Sequence, residues 1–245
     1  MNKEHYWPRW LIRRTLTAHE QWRWLDENRI FPNSMTIPLC KDCNSTLGTE
    51  LERPVEEAFD DLENGRGLTD LQAEQIVRWL WKFEGLAWMC IHVDDPNRRY
   101  SDLYTVRDRV LGNAIANLKE QLILAVSIID RNDDGFTNWP IGLNSPISDR
   151  NSIFVSGVFS RIALIVSMAH LAVDIPATYS LYSFSNAVPR PTDKAFFPQV
   201  GFVTPNQAIV ASRMVSAVLL ATHEAEFADA ANNSLMVPRR RVELP

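Results

Sequence analysis

A chain of 245 residues with 46% hydrophobic and 22% charged content has the composition of a folded globular protein, which excludes a disordered or collagen-like chain, and the length for one large domain or two small ones. Three cysteines cannot build a disulfide framework, and the start MNKEHYWPRW lacks the apolar core of a signal peptide; with Arg161 and Arg213 splitting the most apolar windows, the expectation is a cytoplasmic protein with no membrane span. A net charge of −5 argues against nonspecific coating of nucleic acid but leaves room for a local basic patch.

From the amino terminus, residues 1–12 read as an opening strand carrying Glu4 and His5, a break at Trp7-Pro8, because proline offers no amide donor to a ladder, and a short aromatic segment. Thr17-Ala18-His19-Glu20 has the spacing of a capping box, which predicts a helix of two or three turns holding Trp22, Trp24 and Leu25. Residues 30–39 suit a turn and a second strand, and Cys40-Lys41-Asp42-Cys43 makes a tight knuckle. From Ser45 the apolar positions Leu47, Leu51, Val55 and Phe59 recur every four residues, one face of a helix that Pro54 restarts. These parts define a first unit over residues 1–64.

Asn64-Gly65-Arg66-Gly67 is turn chemistry, and Thr69 to Gln72 is a second capping box, at the head of a long helix. Ile76, Leu80, Phe83 and Ala87, ending at Cys90 or Ile91, give it a buried stripe that Val77, Trp81 and Trp88 widen, so this helix belongs in the middle of the molecule. A further helix runs from Thr105 into the Asn117 region. Strand-forming stretches follow at Leu122 to Asp130, in a hairpin-like pair from Ser152 to Ala169, and at Tyr179 to Phe184, with turns at Asp133-Asp134-Gly135 and Asn144-Ser145-Pro146. Thr204-Pro205-Asn206-Gln207 starts a last helix, and Pro238 to Arg241 is a short basic run at a solvated end. The predicted class is α+β: an N-terminal ββα unit, a helical segment and a β-rich region closing with a C-terminal helix, the whole of 65–245 forming an α+β accessory domain.

An acid beside a histidine on a strand, answered by an asparagine directly after a CxxC knuckle, supplies the parts of metal-assisted phosphodiester hydrolysis. That reaction needs a base to activate water and ligands that hold a divalent ion against the phosphate. Oxygen ligands such as Glu4 and Asn44 suit one Mg²⁺ or Mn²⁺ ion, and Glu52, about two helical turns beyond Asn44, is a further candidate ligand. For Cys40 and Cys43, a thiol pair in a turn and half of a zinc site weigh equally. Structural Zn²⁺ is usually four-coordinate, so two thiolates hold it poorly unless His19 or a second subunit completes the site, and the monomer is expected to carry substoichiometric zinc or none. His19, His92, His170 and His223 lack an acid or cysteine at ligand spacing and read as structural or surface residues. Trp7 and Trp10 flank the candidate site and are candidates to stack on a base or sugar.

Glu4-His5-Tyr6-Trp7-Pro8-Arg9-Trp10-Leu11, with Cys40-Lys41-Asp42-Cys43-Asn44 and Leu51-Glu52, resembles a bacterial and phage branch of the HNH endonucleases of the ββα-metal superfamily. In that branch the first strand reads E-H-h-h-P-x-W-L and the helix opens with C-x-x-C-N, followed by L-E. The resemblance covers residues 3–60 and implies a ββα-metal fold there, DNA as substrate, His5 as general base, Glu4 and Asn44 as metal ligands, and a phage or phage-defence setting. Arg9, Arg13 and Arg14 would then steer the phosphate backbone. A second expectation comes from another class: an HNH-like module without cleavage, kept for binding or regulation, with room for a protein partner or a homo-oligomer.

Overall fold

Proline chemistry sets the first boundary. Strand β1 (Asn2–His5) ends ahead of Pro8, which instead stands at the N-cap of helix α1 (Arg9–Thr15), its carbonyl receiving the amides of Leu11 and Ile12. The computed structural model describes residues 2–23, 29–91, 105–112, 114–130, 139–144, 153–171, 175–186, 193–222 and 234–235. Helix α1 stops at Leu16, whose φ of 59° is left-handed.

The helix predicted from Thr17 is replaced by a hairpin. Strand β2 (Trp22–Arg23) pairs antiparallel with β3 (Arg29–Ile30), Trp22 opposite Ile30. Two contacts account for the difference. The Thr17 hydroxyl is engaged by Thr15 at 2.9 Å instead of capping a helix, and Trp22 is fully buried, its ring 5.6 Å from that of Trp7. Trp24 and Leu25 lie outside the described residues.

After a 3₁₀ turn at Pro32–Ser34, β4 (Thr36–Leu39) returns antiparallel along β1, with Glu4 opposite Ile37 and His5 opposite Thr36. Strand β4 passes through Cys40 directly into α2 (Lys41–Leu47). This helix starts four residues before the predicted Ser45, because the Cys40 sulfur caps it, accepting the Cys43 amide at 3.0 Å. Cys40 and Cys43 are paired as a disulfide inside the knuckle, with Cα atoms 5.3 Å apart. A π-helical turn over Gly48–Glu52 leads into α3 (Arg53–Glu63), where Pro54 sits in the first turn as its position predicted.

Helix α4 (Asp70–Ile91) opens with both bonds of the Thr69–Gln72 capping box, at 2.9 and 3.1 Å. Ile76, Val77, Trp79, Leu80, Phe83 and Leu86 are all buried, so the helix lies in the core as its broad apolar stripe required. The single helix predicted from Thr105 is two short ones, α5 (Val106–Val110) and α6 (Ala114–Leu118). The chain turns at Gly112, and the carbonyls of Val110 and Gly112 freed by that turn accept the Arg78 guanidinium at 3.0 and 3.1 Å.

The sheet comprises β5 (Leu122–Ile129), β6 (Ile141–Asn144), β7 (Phe154–Phe159), β8 (Ile162–Met168), β9 (Ser180–Ser183), β10 (Val200–Phe202) and β11 (Ser234–Leu235). Its order is β10-β5-β8-β7-β6-β11, with β9 also on β5, and every pairing is antiparallel except β10 with β5. The predicted strands around Leu122, Ser152–Ala169 and Tyr179 are all found here. Helix α7 (Pro205–Thr222) starts with the Thr204–Gln207 box, both bonds formed.

Alternation along β7 shows how the layers stack: Ser156 hydrogen-bonds α7 through Ser212 and Ser216, whereas Phe159, of opposite parity, meets Trp79 of α4 at 5.0 Å. Both faces of the sheet are covered, which is why β7 and β8 are buried throughout and read as continuous apolar runs. The boundary expected at residue 64 is bridged by one aromatic core. Trp10 and Phe59 pack on Trp79, and Trp7 packs on Phe83 and Phe159. Such ring pairs each add about 0.5–1.5 kcal/mol beyond the area they bury. The mixed helix-and-sheet composition is α+β, and among the described residues no helix is long and apolar enough to cross a membrane. The turn at Asp133-Asp134-Gly135, Ser145-Pro146, His92, His223 and the Pro238–Arg241 run lie outside the described residues, as do the side chains of Ala87, Trp88 and Cys90.

Candidate active site

Strand parity settles which way the acid faces. Cross-strand partners share a face; Ile37 opposite Glu4 is buried, and Thr36 opposite His5 is half-buried. Glu4 therefore turns toward the core, where its Oε1 meets the ammonium of Lys82 at 2.7 Å. Lys82, on α4, has no exposed surface. The same ammonium reaches Glu52 Oε1 at 2.6 Å, and Glu52 Oε2 accepts the indole N–H groups of Trp10 at 2.9 Å and Trp79 at 3.1 Å. Burial works to lower the Lys82 pKa, but the charges of Glu52 and Glu4 outweigh it and the pKa is raised, so the side chain is an ammonium.

The outward neighbour is His5. Burial and the positive charge of Arg9 lower its pKa, with Glu4 opposing, which leaves a neutral imidazole at neutral pH. Helix α2 packs beside β1, bringing Asn44 onto an element next to the one that carries His5. Asn44 is not a cap: Cys40 fills that position, and the Asn44 amide N–H closes on the Cys40 carbonyl at 3.0 Å. Its side chain is half-buried and makes no hydrogen bond among the described residues. The second carboxylate oxygen of Glu4 is likewise without a donor among them.

Glu4 and Asn44 thus offer two oxygen donors on adjacent elements. This set fits an ion of the Mg²⁺ type, which keeps several waters and takes few protein ligands. It does not fit a closed protein cage; among the described residues no group of three or more His, Cys, Asp or Glu could hold a metal ion. Cys40 and Cys43 pair with each other across the turn.

Other candidates fall elsewhere. Glu52, a candidate ligand by spacing, is turned into the core by the π-helical turn and has donors on both oxygens, so it anchors Lys82. Arg9 and Arg13 are exposed. Arg14 is bound into the fold through Asp60 and through Glu63 at 3.0 Å, with its guanidinium over the rings of Trp10 and Phe59. Trp7 and Trp10 are buried at 0% and 6% exposure, which withdraws them from stacking on a nucleotide. Lys82 was not foreseen from sequence, although one signal pointed to it: a lysine on the stripe of Trp79, Phe83 and Leu86, where an apolar side chain belongs. The same helix carries a second buried charge, Glu84, paired with Arg109 at 2.6 Å, and Arg109 lies 5.1 Å over the Trp81 ring.

No protein-family profile, curated protein or solved structure matches this chain.

Proposed function

We propose that the β1–β4–α2 unit is an HNH-type centre that hydrolyses DNA phosphodiester bonds with one Mg²⁺ or Mn²⁺ ion. The observation that carries this reading is the adjacency of the two half-motifs: β4 pairs with β1 at Glu4 and His5 and runs without interruption into the helix bearing Asn44. The Asn44 side chain supports it further, since an asparagine that does not cap its helix and has no hydrogen-bond partner among the described residues is available to a ligand.

In this reading His5 takes a proton from the attacking water, a role suited to an imidazole held neutral by its burial and by Arg9. Glu4, through its second oxygen, and Asn44 hold the ion, which when bound supplies positive charge against the developing negative charge of the phosphate. Arg9 and Arg13, both exposed on α1, face the approaching backbone phosphates. Charge distribution favours this end for nucleic acid: residues 1–55 hold eight Lys and Arg against seven Asp and Glu, and the remaining residues hold seventeen against twenty-three.

A second reading, a binding or regulatory module without cleavage, draws on the Lys82 ammonium, which already neutralises part of the Glu4 charge. Nicking of supercoiled plasmid separates the two. Cleavage that requires Mg²⁺ or Mn²⁺, stops with EDTA and is lost in His5→Ala supports the nuclease; retained DNA binding with no cleavage under any of these conditions supports the module.

A further inference from the structure

A primary ammonium with no exposed surface is costly to bury, and this chain pairs it with two carboxylates, one of which also accepts two indole N–H groups. The two carboxylates, 14% exposed at Glu4 and 12% at Glu52, are used unequally. Glu52 has Lys82 on Oε1 and Trp10 and Trp79 on Oε2. Glu4 has Lys82 on Oε1 and no donor on Oε2 among the described residues. Glu52, itself fixed by the two indoles, fixes the ammonium in turn.

Resting on the nuclease reading above, we infer that Lys82 is a positioning residue and a built-in counter-cation: it holds Glu4 by Oε1, leaving Oε2 to the ion, and keeps the affinity of the centre for a free divalent ion low, so that DNA phosphate completes the binding. Charge alone gives the sign. Glu4 and Glu52 together carry two negative charges, and the ammonium reduces them to one. An ion on Glu4 Oε2 shares its carboxylate with a fixed positive charge, and the two cations repel across a short, poorly solvated gap. A phosphodiester brings back the negative charge that Lys82 has neutralised. The ion then binds best when the substrate is in place.

The test is Mn²⁺ binding to the full chain without nucleic acid, read from the free-ion electron paramagnetic resonance signal, with folding followed by circular dichroism. Lys82→Met should bind Mn²⁺ about tenfold tighter or more, a change corresponding to about one pKa unit of charge interaction. Lys82→Arg, which keeps the charge, should bind as the parent does. Glu52→Gln leaves the ammonium to Glu4 alone and should bind more weakly. A lysine with only a structural role would lower the melting temperature in these variants without moving affinity in opposite directions. If folded Lys82→Met binds no more tightly than the parent, the inference is overturned. Should that variant fail to fold, Glu52→Gln decides, and unchanged or tighter binding there overturns it. Glu4→Gln tests the nuclease reading separately: Mn²⁺ binding unaffected by that change removes Glu4 as a ligand whatever Lys82 does.

Discussion

Removing one partner of the Glu84–Arg109 pair is a sharp perturbation, because the carboxylate cannot reach water. Glu84 is 3% exposed and its Oε2 lies 2.6 Å from the Arg109 guanidinium, which also covers Trp81. Arg109→Met keeps most of the apolar stem but strands the buried charge, a loss of about 3–5 kcal/mol at neutral pH. Burial raises the Glu84 pKa above its ordinary 4.5, and Arg109 opposes that rise; without Arg109 the pKa climbs further. A carboxyl whose folded pKa is raised contributes its full stability below the unfolded pKa and loses it as pH rises through the folded pKa. The deficit of Arg109→Met relative to the parent should therefore shrink as the pH falls toward 4.5. The double variant Glu84→Met/Arg109→Met should recover most of the loss, since buried pairs are replaced by apolar side chains at little net cost. Urea unfolding of the parent, Arg109→Met, Glu84→Met and the double variant across this pH range measures the effect. A deficit independent of pH, or a double variant as unstable as the sum of its single changes, would refute the reasoning.

Asn44→Ser should fold with stability within about 0.5 kcal/mol of the parent, because the residue is not a cap, yet calorimetry should show divalent-ion binding lost. The acid limb of cleavage against pH should have its midpoint below 6.5 and move upward in Arg9→Gln, since burial and then the Arg9 charge lower the His5 pKa; a midpoint unmoved by that change would remove Arg9 as a cause. Against the effect of burial, Asp61 is held down at about 2 by Lys194, Arg66 and Gln72, so Lys194→Met should lower stability at neutral pH, by less than the full shift because solvent screens the pair. That difference should fade as pH falls through the depressed pKa, in acid titrations of the two proteins. Gly67→Ala should lower stability by about 1–3 kcal/mol, since φ there is +70° and the added Cβ would lie 2.7 Å from the Phe196 carbonyl oxygen; a thermal melt reads it directly.

What the sequence made legible was local. The Thr69–Gln72 and Thr204–Gln207 boxes mark helix starts with side-chain bonds three residues long, and branched residues mark β5, β7 and β8. Strands in the regions of β1 and β4 were legible too; their antiparallel pairing is what the structure adds. What stayed hidden depends on distant partners. Thr17 to Glu20 has the letters of a cap, but Trp22 is claimed by Trp7 and the chain becomes a hairpin. Cysteine is not among the usual N-caps, so α2 was placed four residues late. Glu52 was assigned by α-helical spacing, which the π-helical turn before it breaks, and Lys82 joins Glu4 only because α4 crosses β1 in space. A buried lysine on an apolar stripe states that a carboxylate must come to it, without naming which one.

His5 offers the most direct test of the proposed chemistry. The rate of plasmid nicking should be measured for the parent and for His5→Ala, with Mg²⁺ or Mn²⁺ and with imidazole added to the buffer. If His5 removes the proton from water, the variant loses cleavage, imidazole restores part of it by filling the vacated space as a diffusible base, and EDTA abolishes the restored activity. Nicking by His5→Ala at the parent's rate without imidazole would contradict the account.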